Sequence, residues 1–437
     1  MALTSLKPPE IRADMLRGFV KSVHGIDGAW SRLDGERDQN FRIVDASGAA
    51  WVFKVCNPHE AAEIVHCQAG ALEHIAQTDP ALPVPRLRRA RDGSAAPVLA
   101  DSAGHPHLTL MLSYLPGEIA GERALSGSQL SAVGALVARL GRALRGFIDA
   151  APASRRLVWD NRLAPQLLGS VDLLPAPQRE PSRRMLTEFR DLTVPKLAML
   201  RSQIIHGDIH PYNTLLAEDG AISGLIDFGD LVHAPLIQDL SNVIADYLMT
   251  GRDNSAIVEA LVRGYCGVTR LEEDELDMLL DMVEMRLLMT PLVECIRAAE
   301  GVIAQGYLAQ FGDRSFPLLA ELQGSGRNAL QNHGTGGTTA HVVREGQGNQ
   351  RQAEQALAAH QRHARRAVQL PLQRHRDAPL DLLRRVAGKL ADDRDLGVGD
   401  VRVGFDRRFD IRVQSERGDN ERGKQRRHAA VNAGLDQ

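Results

Sequence analysis

The first third of the chain alternates short apolar runs with turn-forming residues, a pattern typical of β-strands. Phe41–Val44 and Ala49–Val55 flank the turn sequence DASG and predict a β-hairpin. Residues 60–76 carry an apolar stripe at helical spacing, and residues 107–115 form a nearly continuous apolar strand that a Pro-Gly pair ends. The pattern predicts a small antiparallel sheet with one helix, which ends near Leu115.

Beyond residue 115 the apolar positions follow a helical period. Residues 128–148 place apolar side chains three and four positions apart, and Ser126 and Ser128 precede this stripe as candidate N-caps. Further helical patterns run through residues 181–200, 236–249, 255–266 and 273–300. The predicted fold class is therefore α+β, with a small sheet-containing lobe at 1–115 and a larger, mainly helical lobe at 116–330.

The last 107 residues differ from the rest in charge and composition. Residues 331–437 contain 20 basic and 14 acidic residues, and their aromatics are limited to Phe405 and Phe409. This composition is typical of a basic tail of low order. A GC-rich gene translated out of frame gives the same kind of text, so both interpretations stay open.

Composition and charge exclude several classes of protein. No apolar run approaches the roughly 18 residues of a membrane span, and the charged N-terminus lacks the apolar region of a secretory signal. The four cysteines show no CxxC spacing, which argues against a zinc site or a disulfide framework and favours the cytoplasm. A net charge of −3 gives no reason to expect a nucleic-acid partner. The oligomeric state stays open.

Two motifs in the second lobe carry the candidate chemistry. Residues 204–216 read IIHGDIHPYNTLL, and residues 222–232 read ISGLIDFGDLV. Phosphoryl transfer needs one carboxylate to orient a hydroxyl, and an amide oxygen with a second carboxylate to hold Mg²⁺ on the nucleotide phosphates. The order and spacing of the two motifs predict Asp208 as the catalytic base and Asn213 and Asp227 as Mg²⁺ ligands.

The sequences HGDIHPYN and IDFGD resemble the catalytic and metal-binding motifs of the aminoglycoside phosphotransferase and choline kinase superfamily, over roughly residues 15–325. Within it, GERDQNFRI, WVFKVCNP, SYLPGE and GLIDFGDLVHAP are most similar to hydroxylysine kinases. The resemblance implies a bilobal, protein kinase-like fold. It also implies transfer of the γ-phosphoryl of ATP or GTP to a hydroxyl of an amino-acid or amino-alcohol acceptor, with hydroxylysine the leading acceptor. Aminoglycoside, homoserine and choline-type kinases remain alternatives, as does an inactive nucleotide-binding pseudokinase.

The resemblance also implies roles for residues of the nucleotide-binding lobe. Lys54 corresponds to the strand lysine that contacts the α- and β-phosphates, and Gly35 lies in the loop that covers the phosphates. The backbone groups of Ser113 and Leu115 correspond to those that bind the purine. The family usually pairs the lysine with a glutamate, but the register places Gln68 there, with Glu63 and Glu60 as the nearby acids.

Two histidines of the first motif receive supporting roles from the same resemblance. His206 is expected to pack and hydrogen-bond near the metal-binding loop. His210 is expected either to shape the acceptor side of the site or simply to pack the loop.

An amine-bearing acceptor would favour an acidic pocket. Four carboxylates of the second lobe are candidates: Asp230, Asp239, Asp246 and Glu284. Asp239 is equally well interpreted as the N-cap of a helix that begins at Leu240. Arg286 is the candidate for binding an acceptor carboxylate, and an internal ion pair is the alternative for this arginine.

Overall fold

The computed structural model describes residues 8–250, 254–301 and 314–323 of the 437-residue chain. The interpretations of residues 331–437 therefore lie outside the described part. Within that part, no helix is both long enough and apolar enough to cross a membrane.

The N-terminal lobe is an antiparallel sheet of five strands with two helices. Along the chain its elements are α1 (Ala13–Val23), β1 (Gly28–Leu33), β2 (Gln39–Asp45), β3 (Ala50–Val55), α2 (Ala62–Thr78), β4 (Val98–Ala100) and β5 (Pro106–Ser113). The strands are ordered β1-β2-β3-β5-β4. The hairpin prediction is confirmed by the antiparallel pairing of β2 and β3, whereas α1 and β1 were not predicted. The apolar positions Leu16, Phe19, Val20 and Val23 of α1 follow a helical period, so this helix carried a signal that the prediction did not use.

The alternation of side chains along β3 separates the core of this lobe from the site. Phe53 and Val55 lie on one face of the strand and pack in a cluster with Leu16 and Val20 of α1. Lys54 lies between them in sequence, so its side chain leaves the opposite face of the sheet. The sheet thereby buries its aromatic residues against α1 and directs one lysine into the cleft between the two lobes.

The chain enters the second lobe immediately after β5. Strand β6 (Glu118–Ile119) pairs with β8 (Thr214–Leu216), which pairs in turn with β9 (Ile222–Leu225). A second ribbon joins β7 (Ser202–Ile205) to β10 (Val232–Pro235). These short strands fix the loops that carry both motifs.

Residues 314–323 are helical, and seven further α-helices of the described residues form the bulk of the second lobe. They are α3 (Gly127–Ala143), α4 (Ala151–Ser154), α5 (Ala176–Glu188), α6 (Val194–Leu197), α7 (Ile237–Leu248), α8 (Asn254–Cys266) and α9 (Glu273–Ala299). Ser126 caps α3 in a capping box with Gln129, which confirms one of the two predicted caps. All twelve residues of α7 are buried, so α7 and the long α9 form the centre of the lobe.

Two helix predictions ran past the observed ends. The stripe at 128–148 stops as a helix at Ala143, and Gly146 then takes a positive φ of 84° that turns the chain. The segment 181–200 is divided into α5, a π-helical turn at Phe189–Thr193, and α6. Pro195 is the second residue of α6, and a proline there supplies no N–H to continue the preceding hydrogen-bond ladder.

Candidate active site

His206 joins the loops that carry the two motifs. It is fully buried, and its ring meets the ring of Phe228 edge-on at a centroid distance of 4.7 Å. Its Nε2 lies 3.3 Å from the carbonyl oxygen of Ile226, and its Nδ1 accepts the backbone N–H of Asp208 at 3.3 Å. One neutral imidazole with the proton on Nε2 satisfies both contacts. His206 thus fixes the distance between the two loops.

Asp239 holds the backbone of the first motif loop. Its carboxylate accepts the N–H groups of His206 at 3.1 Å and Gly207 at 2.9 Å. Burial raises the pKa of Asp239. Helix α7 begins at Ile237 with Leu236 as its N-cap, so the interpretation of Asp239 as a helix cap is wrong. Both oxygens of Asp239 face the loop backbone, so this carboxylate supports the loop that carries Asp208.

Asp208, His210 and Asn213 form a close group after β7. The Asn213 amide nitrogen donates to the backbone carbonyl of Asp208 at 2.9 Å and to its Oδ2 at 3.3 Å. His210 Nε2 lies 3.4 Å from the same Oδ2. Burial alone would raise the pKa of Asp208, but His210, Arg286 and His206 together outweigh burial and hold the pKa well below its usual range. Asp208 is therefore an ionised carboxylate at neutral pH.

Asp227 has a strained backbone at the end of β9. Among the described residues it is the one non-glycine with a left-handed φ, at 64°. Its carboxylate accepts the N–H of Gly229 at 3.1 Å and lies 3.9 Å from Lys54 Nζ. Burial favours a raised pKa for Asp227, but nearby charges, of which Lys54 has the largest effect, lower the pKa below its usual value. Strain of this kind costs about 1–3 kcal/mol and is concentrated at functional sites.

The structure pairs Lys54 with Asp38, a residue that the sequence interpretation did not select. Lys54 Nζ lies 2.7 Å from Asp38 Oδ2. Burial lowers the pKa of Lys54, but Asp227 and Asp38 outweigh it and raise the pKa above its ordinary value. Gln68 is buried on α2 and Glu63 is exposed, and no described ion pair or hydrogen bond joins either to Lys54. The signal that could have identified Asp38 is the acid-rich sequence GERD beside the predicted phosphate loop.

Asp230 lies between two arginines. Arg37 Nη2 is 2.6 Å from Asp230 Oδ1, and Arg155 Nη2 is 3.4 Å from the same oxygen. Arg155 also pairs with Glu60 at 2.9 Å. These contacts occupy Asp230 and Glu60 with internal partners, so neither carboxylate is placed for an amine-bearing acceptor or for Lys54.

Arg286 and Asp246 form a buried pair at the other side of Asp208. Arg286 donates through Nε and Nη2 to the two oxygens of Asp246 at 3.3 and 3.1 Å. Its guanidinium stacks on Trp159 at 4.2 Å from the ring centroid, and its charge also lowers the pKa of Asp208. Arg286 Nη1 is buried and has no hydrogen-bond partner among the described residues. Glu284 is buried on the same helix, two positions before Arg286, and therefore projects in another direction.

The purine-binding prediction falls on the segment after β5. The N–H of Ser113 donates to the carbonyl of Arg86 at 2.8 Å, and the N–H of Tyr114 donates to that of Ala50 at 3.0 Å. Leu115 makes no such backbone contact among the described residues. Of the two predicted positions, Leu115 is thus the one with an N–H available to a ligand.

Gly35 closes the loop that was predicted to cover the phosphates. A Cβ at this position would lie 2.5 Å from both the Asn40 side-chain nitrogen and the Asp38 carbonyl oxygen. A side chain would therefore open the turn, which explains a glycine here.

The residues present fit a divalent cation shared with a nucleotide. Asn213 uses its amide nitrogen toward Asp208, which leaves its amide oxygen for a cation, and half of the Asp227 side chain is exposed. No group of three or more His, Cys, Asp or Glu residues in the described part could hold a metal ion alone. Mg²⁺ usually binds through one or two protein oxygens together with substrate phosphates, and this donor set suits that mode.

Comparison with known proteins identifies the family. Residues 30–279 match the family model described as "Phosphotransferase enzyme family". The chain therefore belongs to this phosphotransferase family, which confirms the predicted resemblance and the bilobal fold class.

Individual relatives are kinases of small molecules. The chain is 25% identical over 315 residues to hydroxylysine kinase of Mus musculus, an overlap of 67% of this chain and 81% of the mouse protein. It is 30% identical over 239 residues to homoserine kinase of Pseudomonas aeruginosa, covering 52% of this chain and 68% of that kinase.

Solved structures show the same fold. An amicoumacin kinase in complex with AMP-PNP, Ca²⁺ and Ami has a TM-score of 0.55 at 15% identity, covering 71% of this chain and 93% of that kinase. A microcompartment-associated aminopropanol kinase has a TM-score of 0.55 at 18% identity, covering 74% of this chain and 99% of that kinase.

Proposed function

We propose that the protein transfers the γ-phosphoryl group of a purine nucleoside triphosphate to a hydroxyl of an amino-acid acceptor, with 5-hydroxylysine the leading candidate. Family membership supports a small-molecule kinase. The single observation that carries the choice of acceptor is the buried Nη1 of Arg286, which has no hydrogen-bond partner among the described residues.

In this proposal the carboxylate of Asp208 orients the acceptor hydroxyl and takes its proton, while the hydroxyl oxygen forms a bond to the γ-phosphorus and the bond from that phosphorus to the leaving nucleoside diphosphate breaks. The ionised state of Asp208, which His210 favours, suits this role. Lys54 holds the phosphates with a charge that Asp38 and Asp227 fix in place. Asn213 and Asp227 would hold Mg²⁺, which when bound neutralises charge on the phosphates. The AMP-PNP and Ca²⁺ in the amicoumacin kinase complex support a nucleotide and a divalent cation here.

Arg286 supports an acceptor that bears a carboxylate. A buried guanidinium nitrogen without a partner costs free energy that an acceptor carboxylate would recover. Asp246 and Trp159 fix the guanidinium, so little side-chain freedom is lost on binding. Hydroxylysine and homoserine both carry a carboxylate, whereas choline and aminoglycosides do not. The mouse relative favours hydroxylysine, and the bacterial relative keeps homoserine as the second candidate.

The first experiment measures phosphoryl transfer with Mg²⁺ and either ATP or GTP. The acceptor panel contains 5-hydroxylysine, homoserine, 1,5-diaminopentan-2-ol, choline and kanamycin. We expect turnover of hydroxylysine, which Asp208→Asn reduces by about 10²–10⁴-fold because the base is lost. Nucleotide binding without turnover of any acceptor would favour a pseudokinase and contradict the proposal.

The second experiment tests Arg286. The diamine differs from hydroxylysine only in lacking the carboxylate, so Arg286→Met should raise KM for hydroxylysine by about 10–100-fold and leave KM for the diamine nearly unchanged. Arg201→Met is the control for loss of a two-nitrogen pair, because Arg201 donates to Glu275 through Nε and Nη2 and its side chain contacts neither Asp208 nor Asp246 among the described residues. Equal KM changes for both acceptors would contradict a carboxylate-binding role.

A further inference from the structure

The loop between β1 and β2 ties three other elements together through consecutive charged side chains. Each of these residues forms an ion pair with a different element: Glu36 with Arg297 of α9 at 3.1 Å, Arg37 with Asp230 at 2.6 Å, and Asp38 with Lys54 of β3 at 2.7 Å. Two of the three partners belong to the second lobe. The loop is therefore held over the cleft.

Arg37 brings a second cation to the space above Gly229. A Cβ built on Gly229 would lie 3.0 Å from Asp227 Oδ1, 3.6 Å from Lys54 Nζ and 3.7 Å from Arg37 Nη2. The proposed phosphate lysine, the proposed metal carboxylate and Arg37 therefore border one small volume. A side chain at Gly229 would fill that volume, and glycine leaves it open.

The surroundings of Arg37 would allow its guanidinium to exchange its contact with Asp230 for a contact with a ligand. Its side chain is one-third exposed and makes one side-chain hydrogen bond among the described residues, to Asp230. A guanidinium has five N–H donors, so further donors are available to a ligand. Asp230 also pairs with Arg155, so its buried charge keeps a cation if Arg37 turns toward a ligand.

We infer that Arg37 is a phosphate-binding residue of the nucleotide site, and that Asp230 positions its guanidinium beside Lys54. Its planar fork would contact two oxygens of the terminal phosphates, which a lysine ammonium beside it does not do. This inference rests on the proposed function, because it assumes a nucleoside triphosphate in the cleft. It adds a recognition residue outside the two motifs.

The test measures nucleotide binding by calorimetry in the presence of Mg²⁺. One ligand series is AMP, ADP and ATP, and the other is GMP, GDP and GTP. Each nucleotide is titrated into the full-length wild-type, Arg37→Ala and Arg37→Lys proteins. We expect Arg37→Ala to weaken triphosphate binding by about 10–100-fold and monophosphate binding hardly at all. The triphosphate affinity of Arg37→Lys should lie between those of the wild type and Arg37→Ala, because lysine keeps the charge but lacks the planar fork of donors. Arg89→Ala, which removes a surface pair with Glu73, is the control and should bind like the wild type.

The outcomes separate this inference from the proposed function. Equal weakening of mono- and triphosphate binding would mean that Arg37 only shapes the loop, and the inference would be overturned. Unchanged triphosphate binding by Arg37→Ala would overturn it as well, with the kinase proposal intact. A wild-type protein that binds no purine nucleotide would refute the proposed function itself.

Discussion

Burial and charge act in opposite directions on the carboxylates of the site, and the balance differs from residue to residue. At Asp208 and Asp227 nearby cations outweigh burial and lower the pKa. At Asp239 burial prevails and the pKa is raised, although two backbone N–H groups oppose it. The carboxylates proposed to act on ligands are thus the ones that stay charged most firmly.

Glu294 of α9 gives a pH-dependent prediction for stability. Its Oε2 is buried without a hydrogen-bond partner among the described residues, and burial raises its pKa to about 7. The folded state therefore binds a proton that the unfolded state, with a pKa of about 4.3, releases, so stability falls as pH rises between these values. We expect Glu294→Gln to remove this loss and to raise the free energy of unfolding at pH 8 by about 1–2 kcal/mol, after allowance for solvent screening.

Urea unfolding of both proteins at pH 5 and pH 8 measures the effect. Glu273→Gln removes an exposed acid from the same helix and controls for the loss of one charge. Parallel changes in stability with pH for wild type and Glu294→Gln would show that Glu294 titrates normally.

Residues within the motifs were predictable because their relation is local. Asp208 and Asn213 are five positions apart, and a short loop after a strand brings them together. Arg37 and Asp230 are 193 positions apart, and no pattern in a single sequence joins such a pair. The acceptor candidates Asp230 and Asp239 were selected by charge alone, and charge does not tell an internal partner from a ligand.

At the level of elements, α3 and α8 approach each other through reciprocal glycines. A Cβ on Gly134 would clash with the carbonyl oxygen of Leu261, and one on Gly264 would clash with that of Ser131. We expect Gly134→Ala to destabilise the protein by about 1–3 kcal/mol, since backbone atoms cannot give way as a flexible side chain can. Thermal or urea unfolding measures this change.

Gly18 provides the matched control for that substitution. It lies within helix α1, and a Cβ there would meet nothing within 4 Å. Gly18→Ala should therefore stabilise the protein by about 0.5–1 kcal/mol through helix propensity. If Gly134→Ala behaved like Gly18→Ala, the close approach of the two helices would be refuted.

The apolar stripes predicted where helices lie better than where they end. The stripe of α3 is correct at Leu130, Val133, Val137 and Leu140, all buried, because the helical period fixes which face packs. The glycine contact with α8 was not predictable, since a glycine inside a helical pattern normally indicates only a less stable helix. Its use depends on which helix packs against it, and that is a property of the tertiary fold.

At the scale of the whole molecule, the two lobes meet through a shared apolar cluster and, across the cleft, through charged side chains. Basic and acidic side chains alternate across the cleft. Arg155 contacts Glu60 and Asp230, Arg37 contacts Asp230, and Lys54 contacts Asp38 and Asp227. The larger apolar cluster runs through both lobes, because Leu72 of α2 and Leu110 of β5 belong to it together with residues of α3, α7 and α9, whereas the smaller cluster lies between α1 and the sheet. Neither cluster includes the charged cleft residues. A cleft lined with charges can change its internal pairing when a polyanion binds, without disturbing the packing of either lobe.

All contacts assigned to the site and to its phosphate loop lie within residues 35–297, and the family model spans residues 30–279. We therefore expect a chain that ends at residue 330 to keep the nucleotide affinity and acceptor turnover of the full chain. Its melting temperature should change by no more than about 2 °C, because no described core contact is removed. The full-length protein serves as the reference in each assay. Loss of turnover with the fold intact would show that residues after 330 take part in catalysis, and would make out-of-frame translation untenable as their origin.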